Sequence, residues 1–323
     1  MRLIRAAICF AMALALAGAA GAQDYPTKPI KIMVGFAPGG PNDLVSRVLS
    51  DHLTKVWGQP VVVENKAGLG GSLASEVVAH AAPDGYTLLS TGVGGIAINH
   101  NLLPNPTYDP KRDFAPISLT MVTPMMISVG ADVPVKTFRE FVAYAKKNGG
   151  KMNYSTPGTG SSSQLGAELV KLRFGFESTH IPFRGVPAQV EAILKGDAQW
   201  MIDTPQSSIA LHRQGKIKTL VIGSKDRWPL FPDIPTFAEA SDAPEFTMRT
   251  WFALAAPAAT PKPIIEKLAA ETKVALEAPE ANQRIRNIGL MPMPTGPAEL
   301  ARYIEEDTVL WARVIKEANV KPE

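Results

Sequence analysis

Short apolar segments and helical patterns alternate along almost the whole chain, and this alternation limits the possible folds more than any other feature. The apolar segment KIMVG (31–35) precedes a helical pattern at 42–57, and Gly58 stands where such a helix would end. Further strand-like segments lie at 60–64, 86–91, 125–130, 152–156, 198–203, 218–223 and 251–256. Further helical patterns lie at 72–82, 138–147, 164–174, 187–195, 263–276 and 297–318. Because this alternation is typical of helices that cover a sheet, we predict an α/β fold with mostly parallel strands.

The first residues predict export from the cytoplasm. The segment MRLIRAAICFAMALALAGAAGAQ carries Arg2 and Arg5, an apolar stretch at 6–17, and small residues before Gln23. This order of features is typical of a cleaved secretory signal, which we place at residues 1–22. An uncleaved anchor is the alternative, but the apolar stretch is shorter than the roughly 20 residues that a spanning helix needs. We therefore expect a mature protein in the periplasm of a Gram-negative bacterium.

The composition limits the kinds of site and partner that this protein is expected to have. The one cysteine, Cys9, lies inside the predicted signal, so the mature chain is expected to have no disulfide and no cysteine-based metal site. Losing two arginines from 33 basic residues leaves a near balance with the 30 acidic ones. No basic block stands out, which argues against a nucleic-acid partner. A chain of 323 residues is long for a single sheet and suits two lobes.

Two glycine-rich loops are candidates for holding an anion. GFAPGGPND (35–43) and STPGTGSSSQ (155–164) each follow a strand and enter a helix. Loops in this position lie at the carboxyl ends of strands, and the helix start adds N–H donors with a partial positive charge. Neither loop has a lysine or the P-loop pattern, which favours a small carboxylate over a polyphosphate. The alternative interpretation is that these residues only form tight turns and helix caps.

A third glycine segment, GVGGIA (92–97), matches the dinucleotide pattern GxGxxA only in part. The acidic residue expected on the next strand is unclear, because Asp109 and Asp113 lie in a proline-containing segment. We therefore interpret the segment as a loop that lines a cleft, with Gly92 at its start, and expect no cofactor.

The sequence has few of the residue patterns that are typical of catalytic or metal-binding sites. The five histidines show no metal-binding spacing, and there is no GxSxG nucleophile elbow. A secreted hydrolase using a serine from 161–163 stays open only if a distant histidine acts as its base. His180 is more simply structural. We predict no enzyme, no catalytic residue and no bound metal.

Three charged residues could recognise a ligand. Asp203 ends the strand-like AQWMID and could either cap the next helix or accept a hydrogen bond from a ligand. Arg184 in PFRG and Arg249 before Trp251 could each bind a carboxylate with two hydrogen bonds. Solvated surface roles are the alternative for both arginines.

Seven segments in this order resemble one protein family over nearly the whole mature chain. They are YPTKPIKIMVGFAPGGPNDLVSR (25–47), VVVENKAGLGG (61–71), APDGYTLL (82–89), YSTPGTGSSS (154–163), HIPFRGVPAQVEAILKGDAQWMID (180–203), RWPLFPDIPTFAEA (227–240) and WFALAAPAATPKPII (251–265). The chain resembles the Bug-type extracytoplasmic solute receptors, the binding proteins of tripartite tricarboxylate transporters.

The resemblance implies a hinged, two-lobed α/β protein of the type II periplasmic-binding-protein kind that closes on a small organic acid. It implies one lobe from 24–124 plus 246–323 and a second lobe from 125–245. It also implies that loops from both lobes hold one carboxylate of the ligand, at Phe36, Ala37, Pro38, Gly39, Gly40, Ser155, Thr156, Gly158, Thr159, Gly160, Ser161, Ser162 and Asp203. We expect the distal part of the ligand to lie toward Phe183, Arg184, Asp203 and Arg249, and Gly92 to line the same cleft.

The ligand class stays open within the carboxylates. We expect an aromatic or aliphatic dicarboxylate, terephthalate being one example, bound by a monomer that hands it to the large and small integral membrane subunits of the transporter. A sensory role beside a membrane histidine kinase is the alternative. The chain departs from the usual family pattern at Gln164, where a histidine is common, and at Ala67-Gly68-Leu69, where PGA is common. These departures weaken any transfer of a relative's ligand.

Overall fold

The computed structural model describes residues 25–322, and two five-stranded sheets organise them. The strands are β1 (Ile30–Val34), β2 (Val61–Asn65), β3 (Thr87–Gly92), β4 (Phe114–Pro124), β5 (Met126–Gly130), β6 (Asn153–Thr156), β7 (Thr179–Pro182), β8 (Trp200–Asp203), β9 (Ile217–Ile222) and β10 (Arg249–Pro257). The helices are α1 (Pro41–Trp57), α2 (Ser72–Ala79), α3 (Asn99–Leu102), α4 (Pro110–Asp113), α5 (Phe138–Asn148), α6 (Ser162–Phe174), α7 (Val186–Lys195), α8 (Pro205–Arg213), α9 (Phe237–Ala240), α10 (Lys262–Glu277), α11 (Pro279–Asn287) and α12 (Pro297–Glu317). The predicted signal at 1–22 lies outside the described residues.

Both sheets have the same mixed topology. The first sheet has the order β2-β1-β3-β10-β4, and the second has the order β7-β6-β8-β5-β9. In each sheet two pairings are parallel, and the fourth strand in this order, β10 or β5, is antiparallel to both neighbours. The α/β class is confirmed. Four of the five strands in each sheet run in the same direction, as predicted, and only β10 or β5 runs against them. Strand β5 follows β4 of the other sheet after a single residue, without the helical crossover that joins neighbouring parallel strands.

The two connections between the sheets lie side by side. Met125, between β4 and β5, donates its N–H to the carbonyl of Met248 at 3.0 Å and accepts from Gly223 at 2.8 Å. Met248 in turn donates to Gly223 at 2.9 Å. A Cβ on Gly223 would lie 2.8 Å from the Met248 nitrogen, so only glycine allows this approach. The fold is therefore two-lobed with a narrow double connection, and the predicted boundaries at 124/125 and 245/246 lie beside it.

Each lobe has its own core, and one helix reaches across. The second lobe is filled by aromatic side chains, among them Phe138, Phe141 and Trp200, which contact one another. Burial of each such side chain contributes about 1.5–3 kcal/mol. Leu165 on α6 of the second lobe is fully buried in a cluster made otherwise by the first lobe, with Leu300 on α12. The lobes therefore share an apolar contact in this conformation.

Two features of the first lobe differ from the prediction. The sequence pattern does not predict strand β4, because Pro116 and Pro124 interrupt it. The sheet tolerates these prolines because β4 is an edge strand. The segment at 92–97 is not a loop: Gly92 ends β3 and a π-helical turn spans Gly94–Ile98. Among the described residues, no helix is both long and apolar enough to cross a membrane.

Candidate functional site

A cavity of about 460 Å³ lies between the two lobes. The first lobe contributes the loop after β1 and the glycine loop after β2, and the second lobe contributes the loop after β6 and the loop after β7. The lining residues are Gly35, Phe36, Ala37, Ala67, Gly68, Leu69, Gly70, Gly71, Pro157, Gly158, Ser161, Phe183, Arg184 and Gly185. Arg184 is the only one of these with a charged side chain.

The structure brings part of the predicted site to this cavity. Six predicted residues line it: Phe36, Ala37, Gly158, Ser161, Phe183 and Arg184. The other eleven do not line it: Pro38, Gly39, Gly40, Gly92, Ser155, Thr156, Thr159, Gly160, Ser162, Asp203 and Arg249. Eight of these eleven belong to the same two segments, 35–43 and 155–164, and the other three are Gly92, Asp203 and Arg249.

The first-lobe loop is held by Asp43 and Asn65. Asn65 donates to the carbonyl of Phe36 and to Asp43 Oδ1, both at 2.9 Å. Asp43 Oδ2 accepts from the N–H of Gly39 and from Arg47, both at 2.9 Å. Burial alone would raise the pKa of Asp43, but the bonds from Arg47, Gly39 and Asn65 outweigh it and hold that pKa below its usual value. The loop is thus anchored by an ionised carboxylate.

The second-lobe loop is held by Gln164 and His180. Gln164 Oε1 accepts the N–H of Gly160 at 2.7 Å, and Gln164 Nε2 lies 3.1 Å from His180 Nδ1. His180 Nε2 lies 2.7 Å from Thr156 Oγ1. The Gln164 side chain is buried. Gln164, which departs from the usual family pattern, therefore fixes the loop STPGTGSSSQ at Gly160 directly and at Thr156 through His180.

Replacing Gln164 by leucine is expected to weaken this loop. The change leaves the buried Gly160 N–H without its acceptor, which should lower the free energy of unfolding by about 1–3 kcal/mol. Thermal unfolding of Gln164→Leu and Gln164→Glu tests this, because glutamate retains an acceptor. Equal unfolding temperatures for the leucine variant and the unaltered protein would contradict the bracing role.

The serines of the loop make structural contacts. Ser161 caps α6 by accepting the N–H of Gln164 at 3.3 Å, and it donates to the carbonyl of Gly158 at 2.6 Å. Ser162 donates to Thr250 Oγ1 of the first lobe at 3.0 Å. These bonds give both hydroxyls a role in holding the loop and joining the lobes. Within residues 25–322, no cluster of three His, Cys, Asp or Glu could hold a metal ion.

Sequence reasoning missed the contribution of the loop after β2. Asn99, which is buried, donates to the carbonyl of Leu69 at 2.5 Å. Its Oδ1 also lies against Gly160, where a Cβ would overlap it. The segment KAGLGG was an available signal, since it is a glycine loop after a strand like the other two. Asn99 had no signal, because only the fold brings it to the loops.

Asp203 and Arg249 lie away from the cavity lining. Asp203 is 3% exposed inside the second lobe, where Ser128 donates to its Oδ1 at 3.3 Å. Arg249 lies 3.7 Å from Asp307 and stacks over the ring of Tyr303 at 4.6 Å. The two residues therefore belong to the interior of the second lobe and to the packing of α12.

The charges around the cavity favour an anion. Helices α6 and α7 begin at Ser161 and Gly185, their N-cap residues, and both of these line the cavity. The N-terminal end of a helix carries a partial positive charge and N–H donors. Arg184 adds a full positive charge, and no acidic side chain is among the lining residues. The arrangement can hold a carboxylate and offers hydrocarbon contact from Phe36 and Phe183.

Comparison with solved structures places these lobes among periplasmic binding proteins, BugD being one of them. The structure of R. palustris Rpa4515 with adipate superposes with a TM-score of 0.87 at 30% identity, over 93% of this chain and 100% of the other. MatC (Rpa3494) from Rhodopseudomonas palustris with bound malate superposes with a TM-score of 0.83 at 34% identity, over 90% and 100%.

Sequence comparison agrees over almost the whole chain. Protein BugT of Bordetella pertussis is 32% identical over 321 residues, 99% of this chain and 98% of the relative. Residues 45–320 match the family described as tripartite tricarboxylate transporter family receptor. The chain therefore belongs to this family of Bug-type solute-binding receptors, as its sequence segments had predicted.

Proposed function

We propose that this chain captures a small dicarboxylate in the cavity between its lobes and delivers it to the integral membrane subunits of a tripartite transporter. The observation that carries the proposal is the cavity itself, which both lobes enclose and in which Arg184 is the one charged side chain. A volume of about 460 Å³ is in the range of small-molecule sites.

The cavity offers two kinds of group that suit the two carboxylates of one ligand. We assign one carboxylate to the N-terminal end of α6, where backbone N–H groups offer hydrogen bonds. We assign the other to Arg184, which directly precedes Gly185, the N-cap of α7, and whose planar guanidinium matches a carboxylate with two bonds. The dicarboxylates adipate and malate in the structures of Rpa4515 and MatC support this class.

The carbon skeleton of the ligand lies between apolar groups. Phe36 and Phe183 line the cavity from opposite lobes, so either an aliphatic chain or an aromatic ring as in terephthalate can pack between them. Export through the predicted signal would place the receptor in the periplasm, where it meets such acids. Uptake of a labelled acid by cells carrying the membrane subunits, with and without this receptor, tests the delivery step.

Replacing Arg184 by glutamine is expected to weaken dicarboxylate binding about 10- to 100-fold, because a charged hydrogen-bond pair is lost. Arg184→Lys should lose less affinity, since lysine keeps the positive charge and loses only the ability to form two parallel hydrogen bonds with a carboxylate. Titration calorimetry with dicarboxylates and their monocarboxylate counterparts measures both effects.

The matched control is Arg302→Gln. Arg302 lies on α12 and pairs with Glu299 and Glu306, away from the cavity. This variant should bind like the unaltered protein. An Arg184→Gln variant that keeps full affinity for dicarboxylates would overturn the assignment of the second carboxylate, whereas refolded, ligand-free protein that binds no carboxylate would overturn the proposed function.

A further inference from the structure

The loop after β2 has a run of left-handed backbone with one leucine in it. The φ angles are 144° at Gly68, 45° at Leu69, 58° at Gly70 and 105° at Gly71. Glycine adopts these angles readily, but a side chain with a Cβ meets its own carbonyl there. Leu69 is therefore a strained residue between three unstrained ones.

Neighbouring groups keep Leu69 in this conformation. The amide of Asn99 donates to the Leu69 carbonyl at 2.5 Å, and the N–H of Gly71 donates to the carbonyl of Gly68 at 3.0 Å. Asn99 is 1% exposed, so its amide is fixed by the surrounding core. Backbone strain that is held by its surroundings occurs mostly at functional positions, which makes the side chain of Leu69 the feature to explain.

The side chain of Leu69 belongs to none of the buried apolar clusters of the described residues. It is 41% exposed, although leucine is a residue that the fold usually buries. Leu69 instead lines the cavity between the lobes, together with Phe36, Pro157 and Phe183. With the small side chains of Ala37 and Ala67 they form the apolar part of the lining, and Leu69 is the largest aliphatic group that the first lobe adds to it.

We infer that Leu69 is a specificity-determining residue that limits the length and breadth of the ligand's carbon skeleton. The inference rests on the proposed function and adds the residue that selects among dicarboxylates. Shortening this side chain to alanine opens space on the first-lobe side of the cavity. A longer or broader acid then fits, and an acid matched to the leucine loses contact.

The experiment is a titration series with straight-chain dicarboxylic acids of increasing length and with terephthalate. Unaltered protein, Leu69→Ala and Leu69→Gly are refolded without ligand and titrated by calorimetry. Each methylene that gains or loses a place in an apolar pocket changes affinity by about tenfold or more. Leu69→Ala should therefore bind the preferred acid about tenfold more weakly, and its preference should move toward acids with one or two more methylenes, or toward the ring.

Two controls separate the side chain from the backbone. Leu194→Ala removes the same atoms from an exposed leucine of α7 that does not line the cavity, and it should leave the order of preference unchanged. Leu69→Gly should share the altered ligand preference of Leu69→Ala. It should unfold at a higher temperature than Leu69→Ala, because glycine relieves the strain at this φ angle.

The outcomes distinguish the inference from the proposed function. An unchanged order of preference in Leu69→Ala, with unaltered protein that binds dicarboxylates, would overturn the role of Leu69 alone. Unaltered protein that binds none of these acids would overturn the proposed function and this inference with it. A shift of preference in both Leu69 variants but not in Leu194→Ala supports the inference.

Discussion

Replacing Gly160 by valine is expected to reduce ligand affinity by more than about a hundredfold, because it opposes closure of the two lobes. Gly160 belongs to the second lobe, and its φ angle is 72°. A Cβ at this position would overlap Asn99 Oδ1, which belongs to the first lobe. The same contact includes Gly70, whose own Cβ would overlap the Gly160 carbonyl. The lobes can meet here only where side chains are absent.

We expect Gly160→Val to destabilise the fold less than it destabilises the closed conformation of the two lobes. A side chain at this φ angle destabilises the loop by roughly 1–2 kcal/mol, whereas the overlap with Asn99 arises only when the lobes are together. We therefore expect the variant to fold and to favour an open conformation. Titration calorimetry measures the affinity, thermal unfolding measures the stability, and small-angle X-ray scattering measures the compaction on adding ligand.

The matched control for this variant is Gly150→Val. A Cβ at Gly150 would have no heavy atom within 4 Å, so the same added side chain meets nothing there. The control should bind ligand and compact normally. A Gly160→Val variant with normal affinity and normal compaction would show that the conformation described here is not the one that holds the ligand.

Replacing Asp203 by asparagine is expected to stabilise the protein at neutral and alkaline pH by a few kcal/mol, on the order of 2–4 kcal/mol. Burial raises the pKa of Asp203 to about 7, and the neighbouring hydroxyls of Ser208, Ser128 and Ser207 only partly offset the burial. Of these three, Ser128 is the one that donates to Asp203 with ordinary hydrogen-bond geometry, at 3.3 Å. The carboxylate is thus costly to ionise where it lies.

The sign of the effect follows from the raised pKa. In the unfolded chain an aspartate loses its proton near pH 4, but Asp203 keeps its proton in the folded protein until about pH 7. The contribution of Asp203 to stability is therefore full below about pH 4 and is lost as the pH rises to about 7. Asparagine resembles the protonated side chain at every pH, so the variant should match the unaltered protein near pH 4 and exceed it above pH 7.

Asp43→Asn is the control with the opposite sign. The pKa of Asp43 is held below its usual value, so its ionised form stabilises the fold above about pH 4 and this contribution is lost as the pH falls further. The asparagine variant should be less stable at neutral pH. Chemical denaturation from pH 4 to pH 8 compares the two variants, and an Asp203→Asn variant with no gain at pH 8 would contradict the buried, ionised carboxylate.

The α/β class, the two lobes and most of the helices and strands could be predicted from the chain alone. Helix α1 and strand β1 are examples, because a 3.6-residue apolar period and a short apolar run are local patterns with local end signals. The two glycine-rich loops could be located for the same reason, since glycines and hydroxyls between a strand and a helix are visible in a few adjacent residues. Of the predicted residues, Phe36, Ala37, Gly158 and Ser161 of these loops line the cavity, together with Phe183 and Arg184 from the loop after β7.

The antiparallel strands β5 and β10 could not be predicted, because the direction of a strand depends on where the chain comes from and not on its residues. The same holds for Asn99, which is ordinary in sequence and becomes important only because the fold sets its amide between Leu69 and Gly160. Asp203 and Arg249 are the opposite case. Both have charged side chains that could recognise a ligand, yet in the fold they contact Ser128 and Asp307 instead. Sequence alone determined which local elements form and where the glycine-rich loops lie, whereas tertiary structure decided which side chains line the cavity between the lobes, because that depends on contacts between segments far apart in the chain.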